Sequence, residues 1–166
     1  KSVTLGRTHW SDTNRVMLRN RRIGCSVSGV AQFVTNRGLD EFKNWLENGY
    51  DTIQEWDKMY SDWFAIPRSI KTTSVKPSGT VSLLAGATPG LHYPESRFYT
   101  RRVRLSNHSE LLEPLQKAGY KLEPAFGSED TTMVVEVPVD VGEGIRTAAE
   151  LSIWEQFSLA AFMQRH

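Results

Sequence analysis

What the chain lacks narrows it first. Its 166 residues hold one cysteine, Cys25. That excludes an internal disulfide and any cysteine-rich metal site, and it fits a reducing, cytoplasmic setting. His9, His108 and His166 have no ligand spacing with one another or with Cys25, so no metal site is expected. No run is apolar for long enough to span a bilayer. The opening KSVTLGRTHW has no continuous apolar stretch of the kind a signal peptide carries. An excess of one charge is lacking too, since 20 Lys and Arg face 19 Asp and Glu, for a net charge of +1. On that balance neither nucleic acid nor a membrane is an expected partner. There is no G-x-x-x-x-G-K-[ST] loop, no internal repeat and no low-complexity tract. No carboxylate pair and no Ser/His/Asp set can be assigned, so no catalytic residue is named. The chain starts without Met and stops inside a helical pattern, and the expectation is a piece of a longer protein.

What is present is a globular composition, 39% hydrophobic and 23% charged, with five Trp. Ser11 or Asp12 is read as the N-cap of a short helix that Gly24 breaks. Val27, Val30, Ala31 and Val34 share a face of a second helix, with Gly38 as its C-cap. Phe42, Trp45, Leu46, Ile53, Trp56 and Tyr60 mark a long third helix, with Gly49 a candidate interruption and Pro67 the stop. β-Branched Ile70, Thr72, Thr73 and Val75 signal a first strand. Residues 97–105 alternate as a second strand. A short helix follows, with Ser109 as its cap, Pro114 inside it and Gly119 at its end. Residues 131–139 form a third strand that Pro138 ends, and residues 147–166 form a last helix. This order predicts a mixed α/β fold with βα units, in one compact segment covering residues 1–166.

The stretch KPSGTVSLLAGATPGLHYP is the least ordinary part of the chain. It reads as a linker, a capped turn or a cradle for an anion. A strand runs into Pro-Ser-Gly-Thr, and an apolar helix is expected to start near Thr80. The first amides of a helix lack internal partners and carry partial positive charge. Gly79 lets a ligand approach the backbone, and the hydroxyls of Ser78, Thr80 and Ser82 add donors. Such a site suits a phosphate, although plain caps are commoner than sites. Pro89-Gly90 signals a type II turn, and His92 and Tyr93 either face a ligand or pack locally. Arg97, Arg101, Arg102 and Arg104 with Phe98 and Tyr99 raise a single-stranded nucleic-acid reading. A solvated or ion-paired strand is the better account, because alternation splits the cluster between two faces. Cys25 is expected as a small buried residue between helices.

Three blocks carry a resemblance: NRRIGCSVSGVAQF, TTSVKPSGTVSLLAGATPGLHYPESRFYTRRVRLSN and ELSIWEQFSLAAFMQRH. Together they resemble the adenosylcobalamin-dependent (class II) ribonucleotide reductases, most nearly the monomeric ribonucleoside-triphosphate reductase branch, from about Trp10 to His166. The resemblance implies an α/β fold, with this chain as part of the C-terminal half of a ten-stranded α/β barrel and with helices leading into a strand–loop–helix phosphate site. It implies reduction of ribonucleotides to 2′-deoxyribonucleotides by thiyl-radical chemistry, with adenosylcobalamin as cofactor of the full-length enzyme. The implied partners are a ribonucleoside triphosphate, a thioredoxin-like or other dithiol reductant, and the remainder of the barrel. The role carried over is substrate-phosphate binding, on Ser78, Gly79, Thr80, Val81 and Ser82. Ala87, Thr88, Pro89, Gly90 and Leu91 are weaker candidates for a wall of the substrate cavity. The family needs three cysteines for radical and redox chemistry and this chain has one, so Cys25, placed in a helical block, is given no radical role. No cobalamin contact is placed on any residue. A non-catalytic binding or structural module that keeps the reductase-like fold is the alternative.

Overall fold

The computed structural model describes residues 1–79 and 81–166. In chain order the helices are α1 (Ser11–Asn20), α2 (Val30–Arg37), α3 (Leu39–Trp63), α4 (Val81–Leu84), α5 (Leu112–Lys117) and α6 (Ile153–Arg165), and the strands are β1 (Phe98–Ser106), β2 (Lys121–Pro124) and β3 (Thr132–Asp140). Neither Ser11 nor Asp12 caps α1; the cap position is Trp10, without a side-chain hydrogen bond. Asn14 fixes the entry instead, accepting the Thr8 N–H at 2.6 Å and donating to the Thr8 carbonyl at 2.7 Å. The helix ends before Gly24, at Arg21, which takes a left-handed φ of 45°. The following residues are extended, so Cys25 lies in no helix and is exposed. Val27 likewise falls outside α2, while Gly38 closes that helix as expected, its N–H bonding the Val34 carbonyl.

α3 runs through Gly49 without a break. A glycine there costs about 1 kcal/mol relative to alanine, which the apolar face of the helix offsets. Phe42 is buried with Val30 of α2 and Leu159 of α6, and Phe33, Leu46, Leu91, Tyr93 and Phe162 pack around them. The rings of Phe33 and Phe42 lie 5.5 Å apart, and those of Phe42 and Phe162 6.2 Å. This helical core therefore reaches into the 76–94 stretch through Leu91 and Tyr93.

The β-branched signal at residues 70–75 produces no regular strand. Those residues make a single parallel bridge, Cys25 to Thr73. It is supported by N–H bonds from Cys25 to the Thr72 carbonyl at 2.8 Å and from Ser74 to the Cys25 carbonyl at 2.9 Å. The facing residues 21–29, between α1 and α2, add the bond from the Ile23 N–H to the Lys71 carbonyl at 2.9 Å but no further bridge among the described residues. The regular strands form an antiparallel sheet of order β1-β3-β2. Helix–strand crossovers between parallel strands are therefore not what joins this sheet, contrary to the βα expectation. β2 was not anticipated, since Lys-Leu-Glu-Pro has little intrinsic strand preference. Its register with β3 holds it: Leu122 and Val103 both oppose Val135, which is buried.

The last helix divides in two. A 3₁₀ turn at Ala148–Glu150 and α6 each begin with a capping box, Thr147 with Glu150 and Ser152 with Glu155. The Ser152 N–H and hydroxyl donate to Glu155 at 2.8 and 3.0 Å, and Arg146 donates to the other carboxylate oxygen at 2.9 Å. The Arg146 hydrogen bond, followed by those from Ser152, pulls the Glu155 carboxyl down from 4.5 to about 2. A carboxylate lowered on folding contributes stability above its unfolded pKa and loses it as pH falls through the folded value. The capping contribution is thus expected to be complete at neutral pH, to decline below pH 4.5 and to be gone below about 2. Ser152→Ala should cost about 1 kcal/mol at neutral pH. An acid titration of unfolding in which Glu155→Gln matches the parent from pH 7 down to 2 would contradict this.

Candidate functional site

The 76–94 stretch is held from three sides. Ser78 has a left-handed φ of 50°, and its hydroxyl accepts from that of Ser28 at 2.9 Å. Ser82 is buried and donates its own hydroxyl to the Ser78 carbonyl at 2.5 Å. The Ser82 hydroxyl is thus engaged inside the loop, whereas that of Ser78, which only accepts from Ser28, keeps its own proton to donate beside the backbone amides. Among the described residues, the amides of Val81 and Ser82 bond no backbone carbonyl, as the first amides of a helix must. The helix they begin, α4, is one turn long. Thr80, expected as a further donor, lies outside the described residues. Gly79 is exposed, and a side chain built on it would meet nothing within 4 Å. Arg101 of β1 reaches over to donate to the Gly79 carbonyl.

The second half of the stretch docks onto the N-terminus of α2. The Gly29 N–H bonds the Thr88 carbonyl at 2.8 Å and the Val30 N–H bonds that of Gly90 at 3.3 Å. Gln32 completes the joint: it accepts from the Thr88 N–H at 2.9 Å and donates to the carbonyls of Gly86 and Val141 at 3.2 and 3.0 Å. One carboxamide thus ties the loop to the end of β3. The expected Pro-Gly turn forms one residue further on. Its hydrogen bond runs from His92 to the Pro89 carbonyl at 2.9 Å, which puts Gly90, at φ 54°, first among the central residues. Thr88 and Gly90 are buried while Ala87, Pro89 and Leu91 stay half-buried. Leu91, His92 and Tyr93 line a hollow of about 220 Å³ with Ala148, Gln156 and Leu159.

A larger cleft, about 500 Å³, lies elsewhere, between Cys25 and Thr73 on one side and Trp45, Tyr50 and His166 on the other. None of the described residues among 78–82 and 87–91 lines it. Two of the four arginines are neutralised: Arg97 pairs with Asp140 at 3.0 Å and Arg102 with Glu123 and Glu136. For those two the expected ion pairing holds, and the alternation splits Arg101 from Arg102 and Arg104 between two faces. Among the described residues no group of three or more His, Cys, Asp and Glu could hold a metal, and no helix is long and apolar enough to cross a membrane. Ser28, Gln32 and the reach of Arg101 were not foreseen. They act across 50, 56 and 22 residues of sequence, and although all three stood in quoted stretches, nothing there gave Ser28 or Gln32 a contact with the loop.

No family model matches the chain. Over its full 166 residues it is 61% identical to a Euglena gracilis protein named adenosylcobalamin-dependent ribonucleoside-triphosphate reductase, of which it spans 23%. It is 58% identical to a Dictyostelium discoideum protein named probable adenosylcobalamin-dependent ribonucleoside-triphosphate reductase, spanning 22% of it. The crystal structure of a B12-dependent (class II) ribonucleotide reductase superposes with a TM-score of 0.78 at 30% identity, over 98% of this chain and 26% of that one. The chain spans about a quarter of the length of these relatives, and the resemblance read from its sequence is borne out.

Proposed function

We propose, from the premise that the chain is homologous along its whole length to a segment of the adenosylcobalamin-dependent ribonucleoside-triphosphate reductases, that it serves such a reductase as the wall holding the substrate's phosphates. The reaction is reduction of a ribonucleoside triphosphate to the 2′-deoxyribonucleotide. The residues proposed to bind phosphate are Ser78, Gly79, Thr80, Val81 and Ser82. Ala87, Thr88, Pro89, Gly90 and Leu91 back the loop and border the substrate cavity. In the full-length protein the segment belongs to the C-terminal half of the catalytic barrel. Exposed Trp45, Trp63, Trp154 and Phe157 give it apolar surface to bury there.

The observation that carries the loop assignment is a contrast between the loop's two sides. Ser28 and Gln32 brace the loop and Arg101 holds the Gly79 carbonyl, while the space next to Gly79 is open. A braced backbone whose amides at Val81 and Ser82 bond no carbonyl, next to the open space at Gly79, suits an anion. Adenosylcobalamin, when bound to the full-length enzyme, supplies the initiating radical. The described residues do not fit it: the larger cleft suits a small molecule of ordinary size rather than a corrin, and no step is assigned to it. The cysteines that a dithiol reductant would reset lie outside this chain, whose only cysteine is Cys25.

The test is Gly79→Leu in the full-length enzyme. The new side chain enters open space and the backbone φ is ordinary, so the fold should be kept. The KM for the ribonucleoside triphosphate should rise about tenfold, which corresponds to losing one charge-assisted hydrogen bond. An unchanged KM would reject the assignment.

A further inference from the structure

We propose that Arg101 is the cation that receives the outer end of the substrate's phosphate chain at the 78–82 loop, and so favours triphosphate over diphosphate. The inference rests on the reading of that loop as the phosphate site.

Alternation along β1 is the first support. Arg101 shares the half-buried face with Tyr99, Val103 and Leu105, whereas Arg102 and Arg104 lie on the exposed face. Arg101 is therefore the strand arginine turned toward the loop. Charge is the second. Arg97 and Arg102 are paired with carboxylates, but among the described residues Arg101 has no carboxylate within ion-pair distance and bonds the neutral carbonyl of Gly79. A guanidinium carries five N–H donors in a rigid fork, and one bond to a carbonyl neither neutralises its charge nor exhausts its donors. The surroundings are the third. No Asp or Glu occurs from residue 63 to residue 94, although Arg68, Lys71 and Lys76 do. The loop and its approach carry positive charge without an internal counter-ion. A phosphate oxygen placed against the open side of Gly79 would lie beside a planar donor already oriented by the carbonyl it holds, the geometry that makes arginine a bidentate phosphate ligand.

The experiment compares Arg101→Met, Arg101→Lys and Gly79→Leu in the full-length enzyme, with a ribonucleoside triphosphate and the matching diphosphate as substrates. Met keeps the aliphatic stem and its packing. Arg101→Met should raise the triphosphate KM about tenfold with kcat unchanged and the diphosphate KM altered far less. Arg101→Lys should restore part of the loss, because charge returns without the fork. A triphosphate-to-diphosphate KM ratio unmoved by Arg101→Met, while Gly79→Leu raises KM, overturns the role of Arg101 and leaves the loop assignment standing. If neither variant moves KM, the loop assignment itself fails and this inference with it. A fall in kcat that Lys does not rescue, with the KM ratio unchanged, also overturns the proposal.

Discussion

Gly90→Ala in the full-length protein should lower stability by roughly 2–5 kcal/mol, the combined range for a left-handed non-glycine residue and an overpacked interior. Gly90 has a φ of 54°. A Cβ added there would overlap the Lys76 carbonyl oxygen and lie 3.2 Å from that of Pro77. Those obstacles are backbone atoms, not the ends of flexible side chains, so relief requires moving the strand-like entry to the loop away from the turn that follows it. The same movement would stretch the bond from the Val30 N–H to the Gly90 carbonyl. Denaturant unfolding should show the lowered midpoint, and hydrogen exchange should show loss of protection at the amides of Val30 and Thr88. A Gly90→Ala protein with the parent's midpoint would refute the close approach.

The comparison with Gly79 sharpens the point. Both glycines belong to one loop, and neighbouring residues do not distinguish them. Gly79→Ala is expected within about 0.5 kcal/mol of the parent, since its Cβ meets open space, and its effect should fall on substrate affinity. Gly90→Ala should fall on the fold first. One glycine leaves room for a ligand and the other leaves room for the chain's own backbone.

Much of the architecture follows from local patterns. The 3.6-residue period of Phe42, Leu46 and Ile53 is a property of α3 alone, and the alternation of residues 97–105 belongs to β1 alone. The failures occur where long-range partners decide. Ile70, Thr72, Thr73 and Val75 have strand chemistry, but among the described residues they meet a partner strand only at the Cys25–Thr73 bridge. β2 has the converse history, weak locally and stabilised by β3. Ser152 and Glu155 formed a legible capping pattern, which a reading of residues 147–166 as one amphipathic helix concealed. The candidate loop was legible as Pro-Ser-Gly-Thr. Its bracing by Ser28 and Gln32 was not, because nothing local marks a serine before α2 or a glutamine within it as the partner of residues fifty or more positions away.

Asp57→Ala should cost about 3–5 kcal/mol, the usual penalty for removing one partner from a buried ion pair. Asp57 lies on α3 among charged residues that a helical pattern assigns to solvent, yet it is only 5% exposed. The Lys1 ammonium sits 2.8 Å from one carboxylate oxygen. The Ser69 N–H donates to the other at 2.9 Å, and the Ser69 hydroxyl to the first at 2.6 Å. Burial pushes this carboxyl up, but the hydrogen bond from Lys1 and those from Ser69 outweigh it and hold the group below its ordinary 3.8. With its pKa lowered on folding, Asp57 should contribute stability fully above pH 3.8 and lose it as pH falls further. In the alanine variant the Lys1 ammonium keeps only the Ser69 hydroxyl and the Pro67 carbonyl, 2.9 and 3.2 Å away, and the Ser69 amide loses its acceptor. Asp57→Asn retains an acceptor for that amide and should cost less. The consequence reaches the loop, because Ser69 precedes the extended residues that bridge to Cys25 and continue to Lys76. Loosening that anchor should raise the substrate KM as well as lower the unfolding midpoint, whereas Gly79→Leu should raise KM alone. An Asp57→Ala enzyme with the parent's unfolding midpoint at pH 7 would show that the pair adds nothing to the folded state.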